Sequence, residues 1–228
     1  MKSIILAAGK GERLGNITNN IPKPMIKVDG KPILEHNINL CKKFGITEIY
    51  INLHHLYNII TDYFGDGDKF GVKITYIIEN ELLGTSGAVK NISKLYSYIN
   101  PFYVLYGDNY SNYNLNLLKS TSKTNIAFHY RKDVTNSGVA EFDKENRIIS
   151  FIEKPKENET SSHWVNAGIY YLQPKILDFI PDGYSDFAKD IFPSLLKNNF
   201  PIYGVCENIE LKAFDTPEML IKNNINLQ

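Results

Sequence analysis

Cysteine is scarce in this sequence, with only Cys41 and Cys206 among 228 residues. The two are far apart and lack the close spacing of zinc ligands, so the sequence predicts neither a disulfide framework nor a zinc site. An excess of one charge is also lacking, because 25 basic residues balance 25 acidic residues. A general nucleic-acid binder usually has a basic excess, so this balance argues against that function but leaves room for a single nucleotide site.

Long hydrophobic runs are lacking as well. The N-terminal apolar stretch at residues 3–8 is too short to span a membrane, and it does not have the longer apolar region of a secretory signal peptide. The sequence therefore predicts a cytoplasmic protein with neither a membrane nor a nucleic acid as partner. Its hydrophobic content of 43% is ordinary for a globular protein, and the chain is long enough to bury a sizeable core.

Strand and helix patterns alternate in the first half of the sequence. Strands are predicted at residues 3–8, 48–53, 72–78 and 102–106. Helices are predicted at residues 32–44, 56–64 and 86–95. This order predicts an α/β fold with a Rossmann-like, mostly parallel sheet flanked by helices. The second half adds strands at residues 126–131, 138–142, 148–153 and 165–172, which we expect to extend the sheet into a mixed one.

The loop LAAGKGERLG, residues 6–15, follows the first strand and is the first candidate site. Gly9 and Gly11 would let backbone N–H groups approach a phosphate closely. Arg13 can add a bidentate clamp on phosphate oxygens. Lys23 follows in the proline-stiffened segment IPKPM and supplies a second cation. In open α/β sheets ligands bind at the carboxyl ends of strands, which is where this loop lies.

Three nucleotide-binding motifs compete for this loop. A Walker A motif is excluded, because its closing Gly-Lys followed by Ser or Thr is absent. A dinucleotide fingerprint could use Gly9, Gly11 and Gly15, but the last glycine falls one residue too late. That fold also needs an acid after the second strand, and the sequence there is NLHH, residues 52–55. The third interpretation is a phosphate-binding glycine loop that works together with Lys23, which lies further along the chain. It accounts for more of the residues in this region than the other two motifs do.

On these motifs the sequence resembles the sugar-1-phosphate nucleotidyltransferases, also called nucleotide-sugar pyrophosphorylases. LAAGKGERL, PKPM and VDGKPILEH form the N-terminal signature, and DYFGDGDKFG, LGTSGA, GDN, EKP and VNAGIY follow in family order. The closest resemblance is to mannose-1-phosphate guanylyltransferase-like members. It implies the nucleotide-diphospho-sugar transferase fold in a single domain over residues 1–228. A nucleotide-binding half would cover 1–115, and a sugar-phosphate-binding half would cover 116–228.

The resemblance also implies a role for each motif. Arg13 and Lys23 would stabilise charge on the α- and β-phosphates, and Asp108 would join them in catalysis as a magnesium ligand. The implied nucleotide contacts are Leu6, Ala8, Gly9, Gly11, Gly84, Ser86 and Gly87. The implied sugar-phosphate contacts are Gly138, Glu153, Lys154, Asn166 and Gly168. The implied cofactor is Mg²⁺.

The second metal ligand is less regular. The family carries an aspartate in a DxGTPE-like run, and the corresponding run here is KAFDTPE, residues 212–218. An ungapped alignment puts Ala213 at the family's aspartate position and Asp215 at its glycine position. A two-residue deletion after Asp215 restores Asp215 as the ligand. We favour this deletion, because a carboxylate is needed there for the metal.

The implied reaction transfers an NMP from an NTP to a sugar 1-phosphate and releases pyrophosphate, by in-line attack on the α-phosphorus. No general base is required, because the second pKa of a phosphate monoester is roughly 6. The motif combination favours GTP with a mannose- or heptose-type sugar. The GKGER loop instead resembles the uridylyltransferases, so UTP, dTTP and CTP stay open.

Two other classes of function are weighed against this enzyme. A non-catalytic nucleotide-sugar sensor on the same fold stays open because of the irregular run around Asp215. An NAD(P) dehydrogenase is disfavoured by the missing acid after the second strand. NTP and sugar 1-phosphate are the expected partners. The sequence does not fix the oligomeric state, and a homodimer stays open.

Overall fold

A computed structural model describes residues 1–96, 100–223 and 225 of the chain. They divide into two compact units that interleave along the sequence. Unit 1 comprises Met1–Leu82, Leu105–Tyr113 and the described residues from Glu210 onwards, and unit 2 comprises the described residues of Leu83–Val104 and Asn114–Ile209. These units do not divide the chain at residue 115. The functional halves 1–115 and 116–228 stay a prediction.

The regular elements alternate between strands and helices in the first half of the chain and are richer in strands in the second. In chain order the strands are β1 (Lys2–Leu6), β2 (Lys27–Val28), β3 (Lys31–Pro32), β4 (Glu48–Leu53), β5 (Lys73–Ile78), β6 (Phe102–Tyr106), β7 (Asn109–Ser111), β8 (Thr124–Tyr130), β9 (Gly138–Phe142), β10 (Ile148–Glu153), β11 (Trp164–Leu172), β12 (Ile202–Cys206) and β13 (Leu211–Ala213). The α-helices are α1 (Ile33–Lys43), α2 (Tyr57–Phe64), α3 (Gly84–Leu95), α4 (Phe192–Lys197) and α5 (Pro217–Lys222).

Unit 1 is built on three parallel strands, with β4 between β1 and β5. Leu6 lies opposite Asn52, and Leu53 lies opposite Ile78, so the carboxyl ends of the three strands meet at one edge. The apolar side chains of β1 and β4 are buried, as expected for parallel strands that are covered on both faces. This arrangement places the glycine loop after β1 beside the ends of β4 and β5.

Unit 2 contains a mixed set of strands. Strand β11 pairs antiparallel with both β8 and β9, and β9 pairs antiparallel with β10. Strand β12 adds to β8 in the parallel direction. Helix α4 packs its Phe192 ring against Phe151 of β10, with ring centroids 5.2 Å apart. The predicted α/β class with a mixed sheet and flanking helices is therefore confirmed.

Every strand and helix predicted from the sequence is present, with boundaries displaced by two residues at most. Periodicity did not reveal the short strands β2, β3, β7 and β13, the fifth strand of unit 2 (β12), or helices α4 and α5. Most of these are too short to show a period. Strand β13 has three residues, and α4 and α5 have six each.

Both cysteines are free, with Cys41 buried and Cys206 half-buried. Burial raises the pKa of each thiol to about 12, so neither is a reactive thiolate at neutral pH. Among the described residues the longest helix is α3, with 12 residues, and none of the helices is long and apolar enough to cross a membrane.

His129 on β8 makes the stability of the fold depend on pH. Burial, and then the nearby charge of Arg131, lower the pKa of His129 to about 4, against roughly 6.5 in an unfolded chain. Between these two pH values the unfolded chain binds more protons than the folded one. We therefore expect the free energy of unfolding to fall as the pH drops from about 6.5 to about 4, by at most about 3 kcal/mol.

Urea unfolding at stepped pH measures this loss. A His129→Leu variant should show a shallower fall, whereas His163→Gln, which changes an exposed histidine, should keep the wild-type slope. If His129→Leu follows the same pH profile as the wild type, the lowered pKa of His129 is wrong.

Candidate active site

The glycine loop packs closely against the segment that carries Lys23. Gly11 has φ +68°, in the left-handed region, and immediately precedes a 3₁₀ segment at Glu12–Asn19. A Cβ atom at Gly11 would lie 2.8 Å from Cγ2 of Thr18 and 3.3 Å from Cβ of Lys23. The Thr18 hydroxyl donates to the Gly11 carbonyl oxygen at 3.2 Å. Glycine at this position therefore allows both the turn and the close approach of Lys23.

Lys23 forms the centre of a charge cluster in unit 1. Its ammonium donates to Oδ2 of Asp108 at 2.6 Å and also to Oδ1 of Asp215. The guanidinium of Arg13 lies 3.1 Å from the same Asp215 oxygen. The Lys23 side chain is only 6% exposed, whereas that of Arg13 is 64% exposed. The structure thus brings together the four charged residues that the sequence predicted for catalysis and metal binding.

Backbone pairing places Asp108 beside the glycine loop. The Gly107 N–H donates to the carbonyl oxygen of Leu6 at 2.9 Å, at the end of β1. A Cβ atom at Gly107 would lie 2.9 Å from that same oxygen, so only glycine fits this approach without a shift. Asp108 follows directly and is therefore held at the carboxyl end of β1.

A second pairing brings Asp215 to Asp108. Strands β7 and β13 are antiparallel, with Ala213 opposite Asn109. Asp108 immediately precedes β7 and Asp215 follows β13 by two residues, so both carboxylates lie at the same end of this ladder. Phe214 is fully buried in an apolar cluster and anchors the segment. The other buried members of that cluster are Leu14, Ile26, Val28, Ile33 and Leu220.

Electrostatics keep Lys23 and Asp215 of this cluster charged at neutral pH. Burial lowers the pKa of Lys23, but the carboxylates of Asp108 and Asp215 outweigh burial and raise that pKa above its ordinary value. Burial raises the pKa of Asp215, but Lys23 and then Arg13 outweigh it and hold that pKa below its ordinary value. Lys23 is therefore an ammonium and Asp215 a carboxylate at neutral pH.

The donor set of the cluster suits magnesium. Mg²⁺ is usually held by one or two carboxylates together with substrate phosphates and water. Within the described part of the chain, no group of three or more His, Cys, Asp or Glu side chains is arranged to hold a metal. Asp108 and Asp215 would therefore hold magnesium together with substrate oxygens. Ala213 offers no ligand, so the geometry favours Asp215 over the ungapped alignment.

The LGTSGA motif in unit 2 packs against the segment at residues 183–185. Ser86 is fully buried, and its hydroxyl donates to Oγ of Ser185 at 2.8 Å. The N–H groups of Ser86 and Gly87 both donate to the Ser185 carbonyl oxygen at 3.1 Å. A Cβ atom added at Gly84 would lie 2.4 Å from that Ser185 oxygen. A Cβ atom added at Gly87 would lie 2.2 Å from the Gly183 carbonyl oxygen. Packing explains these glycines, and their contact with a nucleotide stays a prediction.

The EKP motif of unit 2 shows an unusual backbone. Lys154 has φ +56°, is exposed, and donates its N–H to the Ser137 carbonyl oxygen at 3.0 Å. A non-glycine residue in this region costs about 1–2 kcal/mol, so the surroundings must hold it there. Gly138 lies opposite Glu153, and a Cβ atom at Gly138 would lie 2.9 Å from Oε2 of Glu153. Burial, and then the charge of Asp186, raise the pKa of Glu153.

The VNAGIY motif forms an irregularity in β11. Asn166 accepts from the Gly168 N–H at 3.0 Å and donates to the Tyr170 hydroxyl at 2.9 Å. The pairing of β11 with β8 shifts register between Asn166 and Tyr170, and Gly168 has φ +68°. The Asn166 side chain therefore stabilises the bulge. The sugar-binding roles predicted for both motifs stay predictions.

Sequence reasoning did not identify two pairs of polar residues. Thr85 donates its hydroxyl to Oδ2 of Asp186 at 2.8 Å in unit 2. Asn52 donates to Oε1 of Glu79 at 2.9 Å in unit 1, and both side chains are buried. The available signal for the second pair was a polar residue near the end of each of two apolar strands, in NLHH and IIEN.

Comparison with known proteins points to one family. The family model described as Nucleotidyl transferase matches residues 2–210. A UTP–glucose-1-phosphate uridylyltransferase from Synechocystis sp. is 36% identical over 92% of this chain, which spans only 59% of that relative. A D-glycero-alpha-D-manno-heptose 1-phosphate guanylyltransferase from Campylobacter jejuni is 37% identical over 88% of this chain and 86% of its own length. The crystal structure of HddC from Yersinia pseudotuberculosis complexed with GMP-PN has a TM-score of 0.80 at 28% identity and covers 97% of both chains.

Gly11→Ala tests how the loop and Lys23 are packed. We expect the variant to lose about 2 kcal/mol of unfolding free energy, because alanine meets Thr18 and Lys23 and takes a left-handed φ. Urea unfolding measures the loss. Gly9→Ala is the matched control, since a Cβ atom at Gly9 meets no described atom within 4 Å, and it should keep wild-type stability. Equal stability of the two variants would contradict the close packing of Gly11.

Proposed function

The chain belongs to the nucleotidyl transferase family, and on that premise we propose that it transfers an NMP from an NTP to a sugar 1-phosphate and releases pyrophosphate. The observation that carries this proposal is the convergence of Arg13, Lys23, Asp108 and Asp215 beside the glycine loop. A reaction between two anions needs cations to neutralise and align them, and this cluster offers two cations with a carboxylate pair.

The chemistry assigns a separate task to each part of the cluster. Lys23 and Arg13 would bind oxygens of the α- and β-phosphates. A phosphate oxygen of the sugar 1-phosphate forms the new bond to the α-phosphorus, while the bond to the leaving pyrophosphate breaks. Asp108 and Asp215 would hold Mg²⁺, which neutralises phosphate charge when bound. The second pKa of a sugar 1-phosphate is roughly 6, so the phosphate is already ionised at neutral pH and no residue of the chain has to remove its proton.

The binding residues are proposed from the resemblance and from their place in the fold. On the nucleotide side they are Leu6, Ala8, Gly9, Gly11, Gly84, Ser86 and Gly87. On the sugar-phosphate side they are Gly138, Glu153, Lys154, Asn166 and Gly168. The exposed ammonium of Lys154, held on a left-handed backbone, suits a phosphate.

The proposed substrates are GTP and a mannose- or heptose-type sugar 1-phosphate. The heptose guanylyltransferase relative, of which this chain covers 86%, supports this choice. The Synechocystis uridylyltransferase supports UTP as the alternative. A cytoplasmic location, where NTPs are available, is part of the proposal.

The first experiment incubates the purified protein with Mg²⁺, each of GTP, UTP, dTTP and CTP, and a panel of sugar 1-phosphates. We expect pyrophosphate release with one preferred NTP, and only when a sugar phosphate is present. Tight binding of a finished nucleotide-sugar without release in any combination would contradict the transferase and favour the sensor.

Asp108→Asn tests the carboxylate pair. We expect kcat to fall by at least about a hundredfold, because the site loses one of the two carboxylates proposed to hold Mg²⁺. Pyrophosphate release at saturating substrates measures the loss, and thermal unfolding checks that the variant folds. Asp62→Asn changes an exposed aspartate on α2 and should keep wild-type activity. Near-wild-type turnover in Asp108→Asn would remove the metal role from Asp108.

A further inference from the structure

The first turn of helix α1 supports two of the segments that carry the charge cluster. The Ile33 N–H donates to the Ile26 carbonyl oxygen at 2.9 Å, and the Ile26 N–H donates to the Lys23 carbonyl oxygen at 3.1 Å. Ile33 also belongs to the buried apolar cluster that contains Phe214, the residue before Asp215. The start of α1 is therefore a common support for the segments of Lys23 and Asp215.

A side chain of the same helix holds the segment that carries Asp108. The Asn37 side chain is buried, and its residue is only 4% exposed. Its amide nitrogen donates to the Asn109 carbonyl oxygen at 3.0 Å and to the Ile33 carbonyl oxygen, one turn back in α1, at 3.1 Å. An NH₂ group has two donors, so it can make both bonds. Asn37 thus connects the residue after Asp108 to the start of α1.

The strand ladder leaves the Asn109 carbonyl free for this bond. The Asn112 N–H donates to the Glu210 carbonyl oxygen at 3.4 Å, just beyond the paired residues of β7 and β13. Bonded and non-bonded pairs alternate in an antiparallel ladder, so the even-numbered residues of β7 face β13 and Asn109 faces away. Asn37 supplies the partner that the ladder does not give to this carbonyl.

Asp108 is consequently held by the backbone on both sides. On one side the Gly107 N–H donates to the Leu6 carbonyl oxygen at 2.9 Å. On the other side the Asn109 carbonyl accepts from Asn37. The two bonds fix the peptide units before and after Asp108, and these units set the direction in which its carboxylate leaves the chain.

We propose that Asn37 is a positioning residue for the proposed Mg²⁺ site, which acts through the Asn109 carbonyl to hold the Asp108 carboxylate in the direction that metal binding needs. The inference rests on the proposed function and deepens it. Asn37 is assigned no contact with the NTP, the sugar phosphate or the metal. Groups that orient a metal ligand typically change metal affinity by roughly ten- to a hundredfold, so the effect should fall on the metal-dependent part of NTP binding.

Asn37→Leu tests this inference, because leucine cannot donate to the Asn109 carbonyl. Calorimetry measures the NTP dissociation constant without sugar phosphate, once with Mg²⁺ and once with EDTA. We expect the dissociation constant of Asn37→Leu to rise about tenfold with Mg²⁺ and to match the wild type with EDTA. A general loosening of the site would instead weaken binding in both conditions.

Two further variants separate positioning from stability. If Asn37→Leu does not fold, Asn37→Ala serves instead, because alanine also lacks the donor and favours the helix. It should show the same loss, confined to Mg²⁺. Cys41→Ala is the matched control on α1, since it removes another buried side chain, whose thiol lies 3.6 Å from the Ser3 hydroxyl. It should lower stability and leave NTP binding unchanged in both conditions.

A double variant tests whether Asn37 acts through Asp108. If it does, Asn37→Leu should cause no further loss of Mg²⁺-dependent NTP binding once Asp108→Asn is present.

An additional loss in the double variant would overturn the inference. So would unchanged NTP affinity of Asn37→Leu with Mg²⁺, an equal loss with Mg²⁺ and with EDTA, or the same loss in Cys41→Ala. Mg²⁺-dependent NTP binding by the wild type without pyrophosphate release would refute the proposed transferase alone, and the comparison of variants would still decide this inference.

Discussion

The ammonium of Lys23 is nearly buried, and burying a charge is costly unless opposite charges meet it. Much of the architecture of unit 1 around the site supplies those charges. Gly11 lets the loop pack against Lys23, the Gly107 N–H bond to Leu6 holds Asp108 at the end of β1, and the pairing of β7 with β13 brings in Asp215. The ion pairs of Lys23 therefore connect segments that are far apart in the sequence.

The proposed function explains why the cluster combines cations with carboxylates. Two cations and two carboxylates nearly balance one another before substrate binds. The phosphate oxygens of an NTP carry negative charge, as Asp108 and Asp215 do. They would therefore give Lys23 and Arg13 new ion-pair partners. A carboxylate that loses its lysine partner would be free to hold Mg²⁺. Charge neutralisation can thus pass from the protein's own ion pairs to the substrate complex without leaving a buried charge alone.

The sequence predicted the main strands and helices because their apolar residues repeat over enough positions to show a period. It also predicted Arg13 and Lys23 from the glycine loop and the proline-stiffened segment after it, whereas the metal roles of Asp108 and Asp215 came only from resemblance to a family. The place of Asp215 depends on the pairing of two three-residue strands, which no local pattern reveals. The glycines of LGTSGA look like ligand contacts in sequence, and only the fold shows that the segment at residues 183–185 packs against them. The interleaved units escaped detection for the same reason, because they depend on contacts between distant segments.

The interleaving of the two units sets an order for assembly during protein synthesis. Lys23 and Asp108 leave the ribosome before most of unit 2, whereas Asp215 follows only after residues 114–209. Domains usually begin to fold from the N-terminal side as the chain emerges. Here the nascent N-terminal segment has only part of its counter-charge for Lys23 while unit 2 is made. Completion of the charge cluster is thereby tied to translation of the segment around Asp215, and the growing chain reaches that point with the cluster still unfinished.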